Sequence, residues 1–399
     1  PQFGILSARQ TYANFSNVAV FFILGAFILS AAMMETGLST RIALRLLEAF
    51  GDSPASLRRG VFFLCAFSSF FMSEHAVAAM VFPMVIEIVR VLQLKPGRSR
   101  YAQSLFLALA WGCITGGIGT LLGGARAPLA IGMLEEATGG KIQIGFFQWT
   151  LAGLPIVLGA ILAGDLLLRL FSKCEVDSVE PARELLRSRI SAMGRIRWQE
   201  KACGAVVLAA IFSWIFLRHW LGLAQTALLA VVLLFVLRVV DWKRVEREVN
   251  WGIILMYGGA ICLGKAMSES GAALWLTHRL LGQSISASLV LLPVLGLLTL
   301  LLTECISNAA VIAFMFPVAM GLGTARGMDP EVVTFAIAFP AGLAFMFPMG
   351  TPATAIAYSS GFFRPTDLIR PGFVLMLISW TLFVLTAFFW WPWLGYHIG

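Results

Sequence analysis

Residues 17–47 read NVAVFFILGAFILSAAMMETGLSTRIALRLL, and residues 251–281 read WGIILMYGGAICLGKAMSESGAALWLTHRLL. One offset of 234 positions lays the first on the second: Gly25-Ala26 falls on Gly259-Ala260, Met33 on Met267, Glu35 and Gly37 on Glu269 and Gly271, and Arg45-Leu46-Leu47 on Arg279-Leu280-Leu281. The same offset carries Ser73 to Ser307, Ala79 to Ala313, Phe82 to Phe316 and Pro83 to Pro317. Apolar sequence yields chance matches, but a single offset kept over so many anchors marks an internal duplication. At offset 227, Gly123-Gly124-Ala125-Arg126-Ala127 meets Gly350-Thr351-Pro352-Ala353-Thr354, and the seven-residue slip falls in a loop, where length changes cost little. Residues 200–240 have no counterpart ahead of residue 17, so repeat symmetry leads us to expect about two further helices before Pro1.

The chain has 399 residues, 59% hydrophobic and 13% charged, with a mean hydropathy of +0.86. Soluble domains carry about 25% charged residues, and half as many cannot clothe a water-exposed surface. A water-soluble enzyme is therefore excluded. Runs 18–34, 101–122, 150–172, 202–217, 220–237, 251–267, 285–302, 331–348 and 372–395 approach or exceed what a helix needs to cross a hydrocarbon core, roughly 20 residues. They do not alternate, which removes a β-barrel. The fold class is an all-α polytopic membrane protein, and its expected location is the cell membrane with the lipid bilayer as partner. The net charge of +8 sits mostly in the gaps between apolar runs, where basic residues set topology rather than bind nucleic acid. Six scattered cysteines, Cys65, Cys113, Cys174, Cys203, Cys262 and Cys305, form neither a disulfide framework nor a CxxC metal pattern.

Loops 35–60, 93–100, 173–201, 238–250 and 362–371 together hold 20 basic residues, whereas the loops between them hold only Lys141, Arg218, Arg279 and Arg326. The positive-inside rule makes the first group cytoplasmic. The segment after the first duplicated helix, with Arg41, Arg45, Arg58 and Arg59, then lies inside, and its copy, with Arg279, lies outside. The two repeats are inverted, as in secondary transporters with a midplane site. This placement also requires 60–92 and 285–325 to be re-entrant hairpins that enter and leave on opposite faces.

The hairpin tips are expected at Ser73-Glu74-His75 and Ser307-Asn308-Ala309, and a Gly/Pro break at 123–127 and again at 350–354 gives each half a broken helix. Non-helical backbone persists at membrane depth only where protein buries it or a cavity borders it. Such tips and breaks offer helix N-termini to anions and free carbonyls to small cations.

Two hairpin tips of Ser-Asn-Thr type, each followed by a break of Gly-Thr-Pro-Pro-Asn type, mark the divalent anion:sodium symporter family. Thr303-Glu304-Cys305-Ile306-Ser307-Asn308-Ala309-Ala310 and Pro348-Met349-Gly350-Thr351-Pro352-Ala353-Thr354-Ala355-Ile356 resemble its second-half motifs, and the likeness runs from about residue 17 to 395. The resemblance implies an elevator-type homodimer, with scaffold and transport domains, moving dicarboxylates, citrate or sulfate, usually with sodium and with no organic cofactor. It divides the chain into a scaffold helix and arm (1–59), a hairpin and broken helix (60–145), a last helix and cytoplasmic linker (146–201), a second scaffold and arm (202–284), second transport elements (285–370) and a C-terminal helix (371–399). By position, one sodium site uses Ser73, Glu74 and Gly123, and the other uses Thr303, Ser307, Asn308 and Gly350. The substrate contacts fall on Ser73, Glu74, His75, Arg126, Ser307, Asn308, Ala309, Thr351, Pro352 and Thr354.

The first half departs from this pattern: Glu74 and His75 stand where the family has Asn and Thr, and Gly124-Ala125-Arg126-Ala127 stands where it has Thr-Pro-Pro-Asn. An unpaired charge in a membrane interior costs about 2.5–3.5 kcal/mol, which predicts that Glu74 and Arg126 pair. Arg126 is then a tethered cation replacing one sodium, or a bidentate anion binder with Glu74 taking up a proton helped by His75, or part of a purely structural pair. The alternative is a sodium-independent exchanger or a proton-coupled carrier that uses Glu74 and Arg126, for this or a different substrate. Asp165 and Arg169 are expected to pair on one helix. Glu304 is either a tuner of the second cation site or a satisfied buried carboxylate. Lys265 is expected to snorkel, and Phe389-Trp390-Trp391-Pro392-Trp393 with Tyr396 to form an interfacial aromatic belt. A membrane-embedded enzyme would need a nucleophile with a base or a metal cluster, and His75 has neither companion. A channel is disfavoured by hairpins that close the path from both faces.

Overall fold

The computed structural model describes residues 4–171, 175–272, 275 and 288–399, and these contain helices and no strand. The first half comprises α1 (Ala8–Ala13), α2 (Val18–Glu35), α3 (Leu38–Ala49), α4 (Pro54–Ser68), α5 (Glu74–Val91), α6 (Arg100–Gly117), α7 (Arg126–Ala137) and α8 (Phe146–Phe171). An amphipathic connector, α9 (Glu180–Met193), leads to α10 (Trp198–Phe216), α11 (Leu223–Val236) and the short α12 (Trp242–Glu248). The second half continues with α13 (Trp251–Glu269), α14 (Ser288–Thr303), α15 (Asn308–Thr324), α16 (Pro330–Ala338), α17 (Pro352–Ser359) and α18 (Pro365–Leu385). Both halves thus run long helix, helical hairpin, half-helix, break, half-helix, long helix. The hairpin of the first half starts at Pro54 rather than at residue 60, because Ser53 accepts the Ser56 N–H and proline suits the first helical turn.

Local chemistry repeats with the sequence. Gly37 (φ 81°) and Gly271 (φ 72°) both turn the chain after the duplicated helix of their half, α2 and α13, in the left-handed region, which a side chain would oppose. Among the described residues, five helices, Ala8–Glu35, Phe146–Phe171, Trp198–Phe216, Trp251–Glu269 and Pro365–Trp393, are long and apolar enough to cross a membrane. Run 101–122 instead stops at Gly117, and run 331–348 breaks at the tight turn Pro340–Gly342.

Small residues let the helices approach backbone to backbone. A Cβ at Gly116 on α6 would lie 2.0 Å from the Ala66 carbonyl oxygen on α4, and one at Gly25 on α2 would lie 2.6 Å from Ala227 Cβ on α11. The linker and the long helices are joined by ion pairs. Arg41 on α3 grips Glu200 on α10 through Nε (2.5 Å) and Nη2 (3.0 Å), and its Nη1 donates to Gly194 O at 2.9 Å.

Three expectations need correction. Arg41 and Arg58 are buried inside the protein, so they do more than mark a cytoplasmic loop. Lys265 does not snorkel freely; its Nζ meets Glu136 Oε1 of α7 at 2.5 Å. The terminal aromatic run is only partly a belt: Phe389 and Trp393 are exposed, but Trp391 is fully buried, and Trp390 and Trp391 donate to Leu151 O (2.8 Å) and Ala152 O (3.1 Å) on α8. An indole buried against a helix with its N–H satisfied is a packing element. Asp165 and Arg169 pair as expected, with Arg59 nearby at 3.7 Å.

Candidate functional site

The two hairpin tips have the same backbone. Ser73 (φ −61°, ψ 143°) caps α5, its Oγ accepting the Ala76 N–H at 3.3 Å, and Ser307 (φ −63°, ψ 143°) caps α15, accepting the Ala310 N–H at 3.3 Å. Each hydroxyl satisfies one of the donors a helix start leaves open. The first tip is fastened to the break between α6 and α7: the Glu74 N–H donates to Gly123 O at 2.9 Å and Thr120 Oγ1 to Phe70 O at 2.7 Å.

Across that junction Arg126, the first residue of α7, donates from Nη1 to Glu74 Oε2 at 3.0 Å. Glu74 is 5% and Arg126 2% exposed. A cation at a helix N-terminus opposes the helix dipole, so the carboxylate stabilises it against both dipole and burial. Glycines make the room. A Cβ at Gly117 would come within 3.0 Å of both Arg126 Nη2 and Glu74 Oε2, one at Gly124 within 2.7 Å of Nη1, and one at Gly342, in the second half, within 2.3 Å of Nε. Arg126 Nε and Nη2, Ser69 Oγ and the Tyr257 hydroxyl are buried without a hydrogen-bond partner among the described residues.

In the second half, Thr303 Oγ1 donates to Ala341 O at 2.8 Å. The Asn308 amide nitrogen lies within donating distance of Thr303 Oγ1 (2.7 Å), Ala341 O (3.2 Å) and Gly350 O (3.1 Å), and so gathers three oxygens at one point. A small hard cation suits such oxygen ligands. Glu304 proves to be a satisfied buried carboxylate. It accepts from the N–H groups of Phe345 (2.7 Å), Met346 (3.0 Å) and Phe347 (3.0 Å), and so shapes the loop that presents Gly350.

A cavity of about 440 Å³ is bordered by Ser73, Glu74, His75, Gly124 and Ala125 of the first half and Pro352 of the second, with Asn250 and Trp251 among the residues of its far wall. Arg126 does not line it, nor do Ser307, Asn308, Ala309, Thr351 or Thr354. Ser307 is exposed, Asn308 partly buried and Ala309 buried. Thr351 and Thr354 are buried against one another, their hydroxyls 2.9 Å apart, where Thr351 caps α17 by accepting the Thr354 N–H. The fold nonetheless joins the halves: Glu74 touches Arg126, Arg126 rests on Gly342, and the adjoining Ala341 carbonyl belongs to the Thr303–Asn308 cluster. Sequence reading missed Ala341, Gly342 and Tyr257; the proline at 340 within an apolar run was the available signal for the first two.

The family described as sodium:sulfate symporter transmembrane region matches residues 4–397. Among curated relatives, a sodium-dependent dicarboxylate transporter of Staphylococcus saprophyticus is 30% identical over 96% of this chain and 79% of its own length. The corresponding transporter of Staphylococcus aureus is 27% identical over 96% and 78%. Two solved structures share the fold at 15% identity and a TM-score of 0.59: the antimetabolite efflux pump MtrF of Neisseria gonorrhoeae, covering 94% of this chain and 82% of that one, and the YdaH transporter of Alcanivorax borkumensis, covering 99% and 91%. With the match spanning almost the whole chain, this protein belongs to the sodium:sulfate symporter transmembrane family and is an integral, multi-pass secondary transporter of small anions.

Proposed function

We propose that the protein carries a divalent anion of the dicarboxylate, citrate or sulfate class in symport with sodium, through one sodium site in the second half, while Arg126 holds the place of a cation in the first. The observation that carries this reading is the convergence of Thr303 Oγ1, Ala341 O and Gly350 O on the Asn308 amide. The relatives' dependence on sodium supports the same assignment. For the first half, burial of Arg126 away from the cavity favours the tethered cation over a direct anion clamp. Substrate then lies in the cavity beside Ser73, His75 and Pro352, with the N-terminus of α5 turned to it. Arg247–Trp251, on the side the basic loops make cytoplasmic, borders this cavity, which supports reading it as the inward-facing cavity of an inverted-repeat elevator. Its homodimer contact falls on α10 and α11, where Leu208, Phe212, Phe216, Leu229, Val232 and Val236 form exposed apolar surface.

Proteoliposomes loaded with candidate anions and assayed with a sodium gradient, a pH gradient or neither test the coupling. Sodium-driven uptake is expected, with Asn308→Ala and Thr303→Ala raising the sodium concentration needed. Equal uptake under all three conditions would remove ion coupling. Arg126→Ala is expected to change the sodium requirement; abolished anion binding with unchanged sodium dependence would instead assign the guanidinium to the substrate.

One observation favours a second reading. Glu74 and His75 both border the cavity. Proton uptake by Glu74 would release the Arg126 charge toward substrate, and a pH gradient alone would then drive uptake.

A further inference from the structure

A cavity of about 800 Å³ lies outside the site above, between the N-terminal ends of α6 and α18 and the last turns of α8. Arg98, Arg100, Arg364 and Arg370 line it against a single carboxylate, Asp367. None of the four guanidinium groups forms an ion pair among the described residues, and Asp367 accepts the backbone N–H of Arg364 at 2.8 Å. Glu175, which accepts the Tyr101 N–H at 3.4 Å, is the nearby acid outside the lining. Two long helices begin at this cleft, adding their positive ends to the guanidinium charge. Trp111 contributes a further lining side chain, and its indole N–H is buried without an acceptor among the described residues.

We propose that this cleft binds the phosphate of an anionic phospholipid headgroup. Guanidinium groups are suited to phosphate by their forked donors, and unpaired arginines held between membrane helices at a basic, cytoplasmic-side rim match the leaflet that carries anionic lipid. The surface running away from the cleft is apolar and open, with Leu166, Leu170 and Phe171 on α8 and Phe373 and Leu377 on α18 all exposed. Acyl chains lie along those residues while the headgroup enters between the arginines. A free phosphate would use the same donors but gain nothing from that surface. The inference does not depend on which anion is transported.

Native mass spectrometry of the purified protein, offered equal amounts of phosphatidylglycerol and phosphatidylcholine, tests it. Several-fold preferential retention of phosphatidylglycerol is expected, and equal retention would overturn the proposal. The triple variant Arg100→Gln/Arg364→Gln/Arg370→Gln should retain both lipids equally. Gln103→Glu, which keeps every arginine and adds one carboxylate to the lining, should lower the preference without disturbing insertion. Persistence of the preference in both variants would refute the site. Millimolar inorganic phosphate or glycerol phosphate should leave retention unchanged; displacement by either would reassign the cleft to a soluble anion.

Discussion

Glu74 and Arg126 form a nearly inaccessible ion pair bound by one hydrogen bond, with two guanidinium nitrogens unused among the described residues. Removing one partner strands a buried charge, at about 3–5 kcal/mol, whereas removing both does not. Glu74→Gln and Arg126→Gln should each lower the unfolding midpoint markedly, and the double variant should recover most of the loss. Additive losses in that double-mutant cycle would mean that the pair is not coupled. Glu304→Gln should also destabilise, since hydrogen bonds to a charged group contribute about 1.5–3 kcal/mol each and three backbone donors depend on this one. It should weaken sodium activation as the Gly350 loop loosens, and a variant with unchanged melting and sodium dependence would contradict that. The Glu74–Arg126 contact was legible because both residues interrupt symmetric motifs. Lys265 and Glu136, on unrelated segments, gave no such cue: neither periodicity nor motif spacing locates a partner 129 residues away.

The repeat order of helices, hairpins and breaks was readable from hydropathy and punctuation, since glycine, proline and capping serine act locally. Packing was not, because equivalent positions meet different neighbours. Gly25 and Gly259 occupy matching places in the duplicated helix, yet a Cβ on Gly25 would press against Ala227 while one on Gly259 meets nothing within 4 Å. Gly25→Ala should therefore cost about 1–3 kcal/mol through overpacking. Gly259→Ala should be neutral or favourable by up to about 1 kcal/mol through helix propensity. Thermal melting of the two variants compares them directly, and equal effects would show that the symmetry of sequence extends to packing. The aromatic run at the C-terminus taught the same lesson, since only contact with α8 distinguishes buried Trp391 from exposed Trp393.

Inversion of the two halves is a statement about the assembled protein in its bilayer, and charge alone predicted it. With native cysteines removed, Lys95→Cys should react with an impermeant maleimide only from the cytoplasmic side and Ala325→Cys only from the opposite one; labelling from one side would undo the inverted arrangement. Arg41 shows why charge counting is an incomplete guide: a residue counted toward topology clamps α3 to α10 and the linker carbonyls. Arg41→Ala should destabilise by about 3–5 kcal/mol by stranding Glu200, and Arg41→Lys should not restore the loss because an ammonium lacks the two-pronged grip.

Ala341 and Gly342 are bonded neighbours, one giving its carbonyl to the second-half oxygen cluster and the other lying bare beneath the first-half guanidinium. If the proposed ion site is occupied, a shift imposed on that carbonyl would tilt the peptide plane it shares with Gly342, the floor on which Arg126 rests. Loading in one half would then be felt in the other through a single amide link.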